Sequence, residues 1–199
     1  RIEILRGNVA ALYGEAAVGG VINIITRQGK GQPSGYGAVS AGSMGTQSVT
    51  AGYGGAQGDY SYDLNFSKSR SDGFSSMNPS QSSRVNPDRD GYSVQSVAGK
   101  LDKRINSDVT VGLRFSSTQA ENDYDDKALP TDVHLFKKNN DTVGVTLRQV
   151  LNDWTTTLDV AHATLRYEDL KNGLRFSPTS YSSSLLEGSQ NTLRWSNTY

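Results

Sequence analysis

Asp88 and Asp90 stand one residue apart in "DRDG" (Asp88–Gly91), inside a polar stretch from Ser71 to Tyr92. A second acidic stretch, "ENDYDDKALPTD", covers Glu121–Asp132. Both cluster carboxylates among turn-forming residues. Hard oxygen ligands in flexible loops are what Ca²⁺ takes, about six to eight at a time, with carbonyls and waters completing the shell. If the two stretches meet in space, Asp72, Asp88 and Asp90 face Asp123, Asp125, Asp126 or Asp132. "DRDG" has the alternate-acid spacing of a calcium loop, but no glutamate follows at the EF-hand position. For any one of these aspartates, a solvated, repulsive loop surface is the competing reading.

Other chemistries find little support. The absence of cysteine excludes disulfides, thiolate metal sites and cysteine nucleophiles. His134 and His162 are isolated, and no Ser-His-Asp set is visible, so the chain is not expected to be an enzyme. Lys+Arg is 20 and Asp+Glu is 20, which leaves no net field to attract nucleic acid. The 199 residues suit one domain or part of one. No stretch approaches the roughly 20 apolar residues of a membrane helix, and no signal-peptide pattern is expected within these residues. Arg1 stands in mid-pattern, so a fragment lacking its N-terminal part is expected.

The elements that must carry the acidic loops read as strands. In "DYSYDLNFSK", Tyr60, Tyr62, Leu64 and Phe66 alternate with Ser61, Asp63, Asn65 and Ser67. This period of two marks a strand with one apolar and one polar face. It recurs at Val109–Phe115, with Arg114 on the polar face, and at Val143–Leu147, with Arg148 on it. A run from Trp154 starts in phase and slips near His162, which reads as a bulge. Weaker alternation covers Gly35–Gly42, Gln47–Gly54, Tyr92–Arg104 and Ser189–Thr198. Eight strand candidates follow residue 33, without a convincing helix.

Connections alternate in length. Gly55–Gly58, Ile105–Ser107 and Leu151–Asp153 are tight, whereas Ser71–Gly91, Gln119–Asp141 and Asp169–Gly188 are long. Ser43–Gly45 is short where a long one is due. Short turns at one end and long loops at the other characterise a transmembrane β-barrel, whose strands span in about 9–11 residues. A soluble sandwich also alternates. Charges in mid-strand and aromatics near the strand ends (Tyr60, Phe66, Phe115, Trp154, Tyr167) favour the membrane barrel. Tyr36, Tyr53, Tyr60 and Tyr62 read as girdle or strand packing, and Phe74, Tyr92 and Tyr181 as residues that could line the mouth.

The segment Arg1–Gly29 carries "RIEILRG" (Arg1–Gly7), "ALYG" (Ala11–Gly14) and "GGVINIIT" (Gly19–Thr26). It resembles the end of the plug domain of TonB-dependent outer-membrane receptors, departing at Asn8, where the family usually has proline. Gly14, Gly19 and Gly20 would allow tight turns and close backbone approach, and "VINII" reads as a strand buried on both faces. The resemblance implies an all-β chain. Residues 1–29 would end the plug, and residues 30–199 would be the first part of a transmembrane antiparallel β-barrel, about eight strands of roughly 22. An open, curved sheet with two unprotected edges is therefore expected. "DGF…NPDRDGY" followed by "NDYD" resembles the cobalamin (vitamin B12) receptor branch. That implies calcium held by Asp72, Asp88, Asp90, Asp125 and the carbonyl of Tyr124, with Asp132 a looser match. It also implies an outer-membrane location in Gram-negative bacteria and lipid against the barrel. The expected partners are cobalamin, or alternatively a ferric siderophore or other chelate, and the energy-coupling protein TonB, whose contact would lie upstream of Arg1.

Overall fold

The computed structural model describes residues 2–7, 20–78, 80, 84, 86–125, 129–175 and 184–199. Expectations placed on Gly14, Gly19, Asp126 and Tyr181 lie outside the described residues. Every regular element among the described residues is a strand. β1 (Ile2–Arg6) and β2 (Gly20–Ile24) form an antiparallel ribbon with Leu5 opposite Val21. Gly20 has φ of 137°, and a Cβ there would lie 2.6 Å from the Leu5 carbonyl oxygen, so the ribbon's start requires glycine. The burial expected for this strand on both faces is not seen. Ile22 is 67% exposed, because β1 is the only strand paired with β2 among the described residues.

The main sheet is antiparallel and runs in chain order. It comprises β3 (Ser34–Ala41), β4 (Gln47–Gln57), β5 (Tyr60–Phe74), β6 (Asp90–Arg104), β7 (Val109–Tyr124), β8 (His134–Leu151) and β9 (Trp154–Lys171). β10 (Leu174–Arg175) and β11 (Leu185–Thr198) then pair with successive stretches of β9, Leu174 opposite Lys171 and Leu185 opposite Glu168. They share one lane, so the sheet has the eight lanes expected. Among the described residues no pairing joins β3 to β11, and the sheet is open. Both edges are bare: Val39 is 81% exposed, Leu193 73% and Trp195 70%.

The direction of the apolar face separates barrel from sandwich. Leu64, Leu113, Val145 and Val160 lie on one face of neighbouring strands and remain 50%, 44%, 48% and 51% exposed. Among the described residues no side chain is fully buried. A sandwich would close this face against a second sheet. A single layer with an exposed apolar band is the wall of a membrane barrel, apolar side out. The fold is thus all-β, a partial transmembrane antiparallel barrel.

The opposite, inner face is polar. Asp63 lies opposite Lys100, Lys100 opposite Arg114, and Thr146 opposite Asp159. Arg114 donates to Asp159 at 2.5 Å and to Thr146 at 2.8 Å. Thr26 lines the same hollow, and the Arg27 guanidinium sits 4.3 Å above the ring of Tyr36. The segment after β2 therefore runs along the inner wall, and Tyr36 belongs to that wall, not to an outer girdle.

Two strand readings need correction. Register is unbroken through His162, which pairs with Val143 and Asn191, so no bulge occurs there. The long strands also outrun their predicted ends. β7 reaches Tyr124 and β8 begins at His134, so part of the expected Gln119–Asp141 loop is sheet. Both differences have one cause. Beyond the apolar band the outer face turns polar, with Lys68, Glu121, Lys137 and Arg166, and the two-residue contrast fades while the pairing continues.

Candidate metal centre

β5, β7 and β9 rise toward the same end of the sheet, so the β5–β6 and β7–β8 loops are neighbours. Asp88 lies just before β6, Asp90 opens it, and Asp125 follows the last residue of β7. The structure brings these three together, with one carboxylate oxygen of each within 4.8 Å of the others. Asp125 ties its loop to the other by accepting from Ser75 Oγ at 3.0 Å and Met77 N at 3.1 Å. Its own amide donates to Ser76 Oγ at 3.2 Å. The Ser76 amide donates to the Asp90 carboxylate.

Three close carboxylates repel, and at Asp88 burial adds to that repulsion. Desolvation, then the charges of Asp90 and Asp125, raise the Asp88 carboxyl above its ordinary value of 3.8. In the metal-free protein this fold therefore opposes the charging of Asp88. Asp88's own contribution to loop stability is full below pH 3.8 and is lost as pH rises through the raised value. A carbon-13 NMR titration of the Asp88 carboxyl should give a midpoint above 3.8 that moves down in Asp90→Asn. A midpoint at or below 3.8 would contradict it. The donor set is all oxygen and carries three potential negative charges on loops. That suits a hard divalent cation such as Ca²⁺, with backbone carbonyls and waters as the further ligands.

Of the remaining sequence-predicted residues, Asp72 and Asp132 are engaged away from this group, whereas Asp123 is close enough to feel the charges of Asp90 and Asp88. Asp72 covers Gly45 in the β3–β4 turn, where a Cβ would lie 2.2 Å from Asp72 Oδ2. Its nearest cation contact is a loose one, 3.9 Å to Arg89. The Asp132 carboxylate is buried and already engaged, by Lys171 Nζ at 2.6 Å and Asn172 Nδ2 at 3.0 Å. The Lys171 hydrogen bond holds it below the ordinary aspartate range. Tyr124 precedes Asp125 in the chain, and its ring lies 5.2 Å from that of His134. Asp123 lies with Lys68, Arg70 and Asp72 around a hollow on the outer face.

Sequence reasoning missed Ser75, Ser76, Asn86 and Asn172. The serines looked like generic loop composition. Asn172 had a usable signal: Asn172–Gly173 is the dipeptide of a tight hairpin turn, and it closes β9 onto β10 inside the expected long loop Asp169–Gly188. Both residues have positive φ, 50° and 79°.

No family model matches the chain. Among curated proteins it is 31% identical over 127 residues to the vitamin B12 transporter BtuB of Photobacterium profundum, covering 63% of this chain and 20% of that one. It is 62% identical over 32 residues to the ferrienterobactin receptor of Escherichia coli, 16% of this chain and 4% of that one. It is 60% identical over 35 residues to the iron-regulated outer membrane virulence protein of Vibrio cholerae, 18% of this chain and 5% of that one. Among solved structures, BauA, the ferric preacinetobactin receptor of Acinetobacter baumannii, superposes with a TM-score of 0.49 at 10% identity, over 94% of this chain and 38% of that one. The chain thus spans about a fifth of the length of the first relative. By name these relatives are a transporter, a receptor and an outer membrane protein, which agrees with the outer-membrane barrel wall described above.

Proposed function

We propose that the chain is the plug end and first barrel strands of a TonB-dependent receptor that binds and imports cobalamin. Ca²⁺ would order its outer loops. The observation that carries the calcium part is the convergence of Asp88, Asp90 and Asp125 from two loops. The likeness to a vitamin B12 transporter supports the choice of ligand. Ca²⁺ would neutralise the clustered carboxylates of loops that already meet, and no bond of the ligand is made or broken. Asp88, Asp90 and Asp125 would hold the ion, with the Tyr124 carbonyl as a further donor, while the serines Ser75 and Ser76 orient two of the carboxylates. Cobalamin would enter from outside, between plug and loops. The apolar outer face meets lipid. Coupling to TonB, through a contact N-terminal to Arg1, would then rearrange the plug.

A ferric siderophore is the second reading, favoured by the short, high-identity match to a ferrienterobactin receptor. Equilibrium binding to the full-length protein in detergent separates the two. Cyanocobalamin should bind at least about 100-fold more tightly than a ferric catecholate, a gap of about 2.7 kcal/mol. The reverse order would overturn the cobalamin reading and favour the siderophore.

A further inference from the structure

We infer that the β9–β10 turn, through Asn172, is a positioning device for the metal centre, acting by way of Asp132 and Asn86. This rests on the cluster of Asp88, Asp90 and Asp125 binding a divalent cation. Asn172 grips the end of the β7–β8 loop three times. Its amide donates to the Val133 carbonyl at 2.8 Å, its Oδ1 accepts from Val133 N at 2.9 Å, and its Nδ2 donates to Asp132 Oδ1 at 3.0 Å. Lys171, the preceding residue, takes the other Asp132 oxygen at 2.6 Å. Asn86 then bridges from this fixed point to the centre. Its Nδ2 donates to the Asp132 carbonyl at 3.2 Å and to Asp88 Oδ2 at 2.8 Å.

The path runs from a two-residue turn on β9, across the β7–β8 loop, to a candidate ligand on the β5–β6 loop. Three hairpins are thereby joined before any ion arrives. Asp88 is the most exposed of the three carboxylates. Holding it in place removes part of the ordering entropy that the ion would otherwise have to offset. Asp132 on this view is a strut and not a ligand. Both its carboxylate oxygens are engaged away from the cluster, and it contributes its carbonyl to Asn86.

The test is calcium affinity of the full-length protein in detergent, by isothermal titration calorimetry, for Asn172→Gly, Asn86→Ala and the double variant. Glycine tolerates the positive φ of residue 172 and keeps its backbone bond, so the turn survives. Each single variant should weaken calcium by about 10- to 100-fold, the range for residues that orient a ligand. The double variant should be little worse than either, because both interrupt one path. In EGTA each variant should still unfold in one cooperative transition, with only a modest drop in midpoint from the hydrogen bonds removed. Normal affinity in Asn172→Gly, or additive losses in the double variant, overturns the relay and leaves the calcium reading standing. Failure of the unaltered protein to bind calcium overturns both.

Discussion

Asp88→Ala with Asp90→Ala is expected to weaken calcium by on the order of 10³-fold, because ligand charge count and site rigidity set affinity across several decades at such oxygen sites. The double change removes two of three clustered carboxylates and leaves Asp125 gripped by Ser75 and Met77. Calcium-dependent ligand binding should disappear with it. Asp59→Ala is the control. Asp59 pairs with Arg104 at 2.9 Å in the turn before β5, at the opposite end of the sheet, and its loss should leave calcium affinity unchanged. Equal effects of the two changes on calcium affinity would mean that the acidic loops are only a solvated surface.

The second large effect concerns the outer face. Val145→Arg should destabilise the barrel by about 2–4 kcal/mol, whereas Gln149→Arg, on the same face but nearer the short-turn end, should cost about 0–1 kcal/mol. Val145 lies opposite Leu113 and Val160 in the middle of the exposed apolar band, and Gln149 lies opposite Val109 and Thr156, close to the strand end. Unfolding from lipid vesicles in urea measures both. Similar small costs would contradict the placement of this face in hydrocarbon.

The middle of each strand was readable because lipid and lumen impose opposite demands on alternate residues. Leu64 beside Asp63, and Leu113 beside Arg114, record both in consecutive letters. The strand ends were not readable, because a strand in water beyond the bilayer has polar residues on both faces. Thus the apparent slip at His162 is a change of depth, with register intact. At the candidate site, Asp88, Asp90 and Asp125 were legible as acids near turns. Their separation from Asp72 and Asp132 was not, since it depends on the half-buried Lys171 and on the Gly45 turn, both distant in sequence. Tyr36 misled for the same reason: its spacing does not disclose that Arg27 covers it from the inner side.

The most direct measurement is cyanocobalamin affinity of the full-length protein in detergent, taken first with calcium and then with EGTA. Tight binding that weakens by at least about tenfold in EGTA, 1.4 kcal/mol or more, is the expected result. It would tie the ligand to the carboxylates of Asp88, Asp90 and Asp125. Binding that is absent in both conditions, or equally tight in both, would contradict the proposal that calcium-ordered loops capture cobalamin.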